Sequence, residues 1–239
     1  MRGWSKAVGA GLGYFVGGPI GAVMGYVLGK KLVPKLRPEE SHLLIANLMG
    51  FTAVLLKADG PPSPQEQRET VRFYSCLFRF DANDEGLAHQ LLEQLLAVDL
   101  DIVAMAQTFN RHSDLPMRHR LLEILSTVSL LLRGQLDEPQ LALLNQIAVA
   151  LNMDRKRWEA LRASYRAPSP TLDTACCYAL LELSPEVPAT EVRAAYRRLA
   201  KKYHPDRSAQ LDLRAKQLYV ERMTLINTAY GTIRGQKGF

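Results

Sequence analysis

Glu191-Val-Arg-Ala-Ala-Tyr196-Arg-Arg-Leu199-Ala-Lys-Lys-Tyr203-His204-Pro205-Asp206-Arg207 is the stretch from which the rest of this chain is read. Val192, Tyr196, Leu199 and Tyr203 recur at three- and four-residue steps, which makes one buried stripe on a helix. Pro188 sits at the start, where a first helical residue can lack an N–H without loss. Arg193, Arg197 and Lys201 recur every four residues on another face, with Arg198 and Lys202 beside them, so the helix presents a cationic surface. Pro205 stops it, because proline disfavours helical geometry at the residue before it and donates no backbone hydrogen bond. His204 and Asp206 are therefore held at a rigid turn beside a basic helix. Clustered Lys/Arg also suits phosphate, so nucleic-acid binding is the other use open to this face. The turn argues for a protein partner.

The flanks complete a pattern. Tyr178-Ala-Leu-Leu181-Glu-Leu183 precedes the basic helix, and Met223-Thr-Leu-Ile226-Asn227-Thr-Ala229-Tyr230 follows it. The three segments together resemble the J-domain of DnaJ-type co-chaperones, a helical hairpin with a short first helix packed beneath. The resemblance implies that His204, Pro205 and Asp206 touch a DnaK-type heat-shock chaperone and trigger its ATP hydrolysis. It also implies that Arg193, Arg197, Arg198 and Lys201 carry the docking charge. Glu182 stands where the family commonly has Gly, and Leu225 where it often has an acidic residue. Both departures are expected to be surface changes.

Charge divides the 239 residues further. Residues 1–38 are basic (+6), 39–170 acidic (−4) and 171–239 basic again (+4), which implies three parts with different partners. The three cysteines, Cys76, Cys176 and Cys177, have no zinc or disulfide spacing and read as reduced, buried thiols of a cytosolic setting.

Ala7 to Gly29 contains no charged residue, enough helix at ~1.5 Å per residue to cross a hydrocarbon core of about 30 Å. Gly9, Gly13, Gly17, Gly21, Gly25 and Gly29 fall at unbroken four-residue spacing. On a helix they form a seam without side chains, along which a second helix can approach to backbone contact, as in a homo-dimer or oligomer. A signal peptide lacks its cleavage site here. A hairpin turning at Gly17-Gly18-Pro19 has arms too short to span, and a flexible glycine-rich tail is the remaining alternative. The reading adopted is a single transmembrane helix. Lys30, Lys31, Lys35 and Arg37 after it place the C-terminal domains in the cytoplasm, on the inner, cytoplasmic membrane.

Residues 39–166 read as helices throughout. Gly60 suits a helix C-cap, Ser63-Pro-Gln-Glu66 is a capping box, and Asp114, Asp137 and Asp154 open later helices. A weak internal repeat relates Leu55-Leu-Lys-Ala-Asp-Gly60 with its capping box to Leu131-Leu-Arg-Gly134 with Asp137-Glu-Pro-Gln140. The region is similar in this way to the tellurite-resistance B-like (TerB-like) domain, an all-α fold of two related halves. Asp59 with Glu66, or Asp137 with Glu138, offers hard oxygen ligands to a metal ion, but caps explain the same residues. His42, His89, His112 and His119 show no ligand spacing, and no nucleophile–base pair, phosphate loop or dinucleotide fingerprint is present.

The expected organisation is all-α. It comprises a glycine-zipper transmembrane anchor at 1–36, a TerB-like helical domain at 37–166, a Pro/Ser linker at 167–171 and a J-domain at 172–239. Glycine-rich anchor, helical domain and terminal J-domain together resemble the membrane-anchored DnaJ-like co-chaperone family. The resemblance implies an activator of a partner ATPase, without cofactor, metal or nucleic acid. The alternative is a stress-response adaptor whose acidic middle domain senses a metal ion and signals through the J-domain.

Overall fold

The computed structural model describes residues 38–134, 136–166, 170–204 and 213–239, and all regular structure among them is helical. The glycine seam, most of the linker, Pro205 and Asp206 lie outside the described residues. In chain order the helices are α1 (Pro38–Lys57), α2 (Pro64–Phe78), α3 (Ala82–Leu96), α4 (Ile102–His112) and α5 (Leu115–Arg133). They continue with α6 (Glu138–Ala150), α7 (Arg155–Arg166), α8 (Thr174–Leu180), α9 (Ala189–Lys202) and α10 (Leu213–Lys237).

Two helices form the axis of the first part. α1 buries Leu44, Ile45, Leu48, Met49, Phe51, Leu55 and Leu56, so apolar side chains face almost every direction, as suits a helix surrounded by others. It packs against α3, α4, α5 and α6. α5 is buried in the same manner through Leu121, Leu125, Val128 and Leu132. The surrounding helices start on side-chain caps. Ser63 and Glu66 close a reciprocal capping box on α2, and Asp81, Asp101, Asp114 and Asp137 cap α3 to α6 through backbone N–H groups. Each such cap contributes about 1 kcal/mol.

The internal repeat has a spatial counterpart. The turn after α1 and the turn after α5 lie side by side, and the second half reaches across to the first. Arg133 pairs with Asp59 (3.4 Å) and Glu66 (3.0 Å) of the first turn. Gln140, wholly buried, donates from Nε2 to the Leu55 carbonyl at 3.2 Å. Carbonyls at the C-terminal end of α1 thus find donors supplied by the second half, as buried helix ends require.

The second part is the short helix α8 and the pair α9/α10. α10 presents Arg222, Leu225, Ile226, Ala229 and Ile233 along one buried stripe, and both α8 and α9 pack against it. α8 also packs on α2 and α5, so the apolar interior runs without a break from one part to the other. The Pro/Ser segment between α7 and α8 therefore joins two bodies in direct contact.

Candidate functional site

α9 is amphipathic in the way its sequence requires. Val192, Ala195, Leu199 and Tyr203 are buried against the rest of the domain. Tyr196, expected in the same stripe, is only half-buried: its ring stacks on Tyr230 at 4.2 Å and its hydroxyl donates to Asn227 Oδ1 at 3.1 Å. Pro188 is the residue before the helix, with extended backbone (φ −65°, ψ 156°), and the first helical residue is Ala189. The last turn closes where the Tyr203 N–H donates to the Leu199 carbonyl at 2.9 Å. His204 follows at once and is exposed.

The expected docking residues share the exposed side of α9 but differ in their surroundings. Arg197 and Lys201 project into solvent. The Arg193 guanidinium lies 4.7 Å above the ring of Phe239 in a cation–π contact. Arg198 donates to Glu182 at 2.9 Å.

Glu182 and Leu225 correct the sequence reading, which treated both as surface changes. Glu182 has a left-handed backbone (φ 59°), a conformation that favours glycine. Its side chain, 17% exposed, accepts a hydrogen bond from Arg198 and forms an ion pair at the same oxygen with Arg72 of α2, at 2.9 Å. Leu225 is 3% exposed and lines a small cavity with Phe73, Leu131, Leu180 and Leu199. Both side chains fit this J-domain to the helical domain beneath it.

That junction was not read from the sequence. Arg222 is 95% buried by residue, and both terminal nitrogens engage Glu69 of α2, Nη1 at 2.8 Å to Oε1 and Nη2 to Oε2. The same Nη1 donates to the Tyr203 hydroxyl at 2.9 Å. Burial pulls the Glu69 carboxyl upward, but hydrogen bonds and charge from Arg222, a hydrogen bond from Gln65 and the charge of Lys202 hold it below its usual range. Further out, Arg79 donates to the Pro185 carbonyl (2.7 Å) and pairs with Glu186, and Arg120 pairs with Asp173, the cap of α8, at 2.5 Å. One signal was available: a charged residue, Arg222, falls in register with Leu225, Ile226 and Ala229 on an apolar stripe. It implies a buried acidic partner, though not which one.

The acidic residues weighed as metal ligands have protein partners. Asp59 and Glu66 are held by Arg133, Glu66 completes its capping box, Asp137 caps α6 and Glu138 pairs with Arg166 at 3.6 Å. The cysteines are free thiols. Burial pushes Cys76 up to about 11 and Cys177 up to about 12, which suppresses the reactive thiolate at neutral pH.

A basic helix ending in an exposed histidine, packed antiparallel to a longer helix over a short one, defines a J-domain protein, and comparison with known families agrees. Residues 176–237 match the DnaJ domain, residues 46–163 match tellurite resistance protein TerB, and residues 1–32 match the co-chaperone DjlA transmembrane domain. The chain belongs to the membrane-anchored DnaJ-like co-chaperone family, with anchor, TerB domain and J-domain in that order. No solved structure matches it. Among the described residues no helix is long and apolar enough to cross a membrane; the matched membrane segment lies outside them.

Proposed function

We propose that this co-chaperone docks a DnaK-type chaperone on the basic face of α9 and stimulates its ATPase through the His204-Pro205-Asp206 turn. What supports this most is a single juxtaposition: exposed Arg197, Lys201 and His204 at the end of a helix whose opposite face is buried in a J-domain. Arg193 and Arg198 add charge at its margins. The ATPase site belongs to the partner, so this chain is an activator without chemistry of its own and needs neither cofactor nor nucleic acid. The TerB and J-domains face the cytoplasm, on the side of the inner membrane that the basic residues after the anchor select.

Reversal of Arg198 would place a second carboxylate against Glu182 and disturb the junction as well as docking. The cleaner test is Arg197→Glu with Lys201→Glu, because both side chains face solvent. Affinity for the chaperone should fall roughly tenfold at low salt, the scale of two reversed rim charges. The difference should fade at 1 M salt, where the screening length is about 3 Å. Equal affinity of variant and wild type at low salt would show that this face is merely solvated.

The glycine seam carries a separate expectation about assembly. Gly17→Leu with Gly21→Leu keeps the segment apolar, so membrane insertion should survive while close helix approach is lost. Energy transfer between labelled chains in vesicles should drop to the level of unassociated monomers. Equal transfer in both proteins would retire the seam as an oligomerisation surface and leave the anchor standing.

A further inference from the structure

We infer that Glu69, in the TerB domain, is a positioning residue for the chaperone-activating turn of the J-domain. The contacts run in one line from one domain to the other. Glu69 holds both terminal nitrogens of Arg222, and Arg222 holds the Tyr203 hydroxyl at 2.9 Å. Tyr203 is the last buried residue before His204, and its N–H makes the closing hydrogen bond of α9. Its ring is wedged, with Tyr219 edge-on at 5.2 Å and the Arg222 guanidinium at 5.6 Å.

Glu69 is well placed for this. It lies in the interior of α2, directly before Thr70 and Val71, both wholly buried, so its own backbone is fixed by the core of the helical domain. Among the described residues, the other ion pairs across the junction reach elsewhere. Arg72 and Arg79 meet the segment after α8, and Arg120 meets its cap.

Removing the Glu69 charge leaves a buried guanidinium whose Nε already has no hydrogen-bond partner. Such a group must find water or another acceptor, and moving it shifts the hydroxyl it holds. The placement of Tyr203, and of His204 directly after it, is then set by the TerB domain, while the docking charges of Arg197 and Lys201 are untouched. The functional half of this inference rests on the docking reading above. The link between Glu69 and Tyr203 does not.

The test uses the full chain in phospholipid nanodiscs, with Glu69→Gln, Glu69→Asp and Tyr203→Phe. Amide hydrogen exchange at Tyr203 and His204 reads the link without any chaperone, and titration with a DnaK-type chaperone reads maximal ATPase stimulation apart from its half-maximal concentration. For Glu69→Gln and Tyr203→Phe, exchange should quicken and maximal stimulation should fall, each by roughly tenfold, the scale of one charge-assisted hydrogen bond. The half-maximal concentration should stay within about twofold, since the rim charges that govern association remain. Glu69→Asp, which keeps the charge, should recover part of both losses. If Glu69→Gln loosens the whole J-domain, Tyr203→Phe decides, because it removes only a hydroxyl. Unchanged exchange in both variants overturns the link. Faster exchange with undiminished maximal stimulation, or a loss confined to half-maximal concentration, overturns the positioning role. A wild-type chain that gives no stimulation overturns the docking reading and this functional half together, while exchange still judges the link.

Discussion

Replacing His204 by glutamine is expected to reduce stimulation of the chaperone ATPase to the rate of the chaperone alone, with the helical fold intact. The reason lies in where the buried stripe of α9 stops. Val192, Ala195, Leu199 and Tyr203 hold the helix to its domain, and the next residue is exposed. An exposed substitution that keeps a polar side chain of similar reach changes stability by no more than about 0.5 kcal/mol. Arg197 and Lys201 remain in place, so docking should persist and separate from stimulation. Single-turnover ATP hydrolysis, binding and thermal melting on the same variant check all three. Ordinary stimulation by the glutamine variant would remove the turn from the mechanism.

Arg222→Leu should have the largest effect on stability. It removes one partner of a buried ion pair and leaves the Glu69 carboxylate facing an apolar side chain. Breaking a fully buried pair from one side costs about 3–5 kcal/mol, and because the Glu69 side chain keeps 17% exposure the loss should fall at the lower end, about 3 kcal/mol. The loss should appear as early melting of the J-domain from the TerB domain.

Its pH dependence has a definite sign. In the wild type the Glu69 carboxyl titrates below its ordinary 4.5, so the pair contributes fully above that value and fades as pH falls through the lower folded one. In the variant burial acts without Arg222, the carboxyl shifts upward, and protonation relieves the penalty. The gap in melting temperature between the two proteins should therefore narrow on going from pH 7 to pH 3. A gap that is constant across this range would mean that Arg222 acts by packing alone.

The legible part of the J-domain was local. A three-four periodicity, a proline stop and a run of arginines are properties of consecutive residues, and they place α9 and its end without any knowledge of neighbours. Capping worked for the same reason: Ser63 with Glu66, and Asp114 or Asp137 before a proline, satisfy N–H groups two or three residues away. The two repeated turns could be matched in sequence, but their adjacency through Arg133 and Gln140 is a long-range fact. Glu182 and Leu225 were misread because exposure is not a local property. Each is covered by a helix distant in sequence.

By itself, the sequence determined the all-α class, the positions of the caps, the basic face of α9 and the place of His204. All of these follow from hydrogen bonding and side-chain period within a turn or two of chain. Only the tertiary structure decided that the TerB and J-domains share one apolar interior, and that Glu69 rather than any other carboxylate meets Arg222. A buried charge announces that it needs a partner. Its identity depends on which helices pack together, because the carboxylate lies 153 positions away along the chain and 2.8 Å away in space.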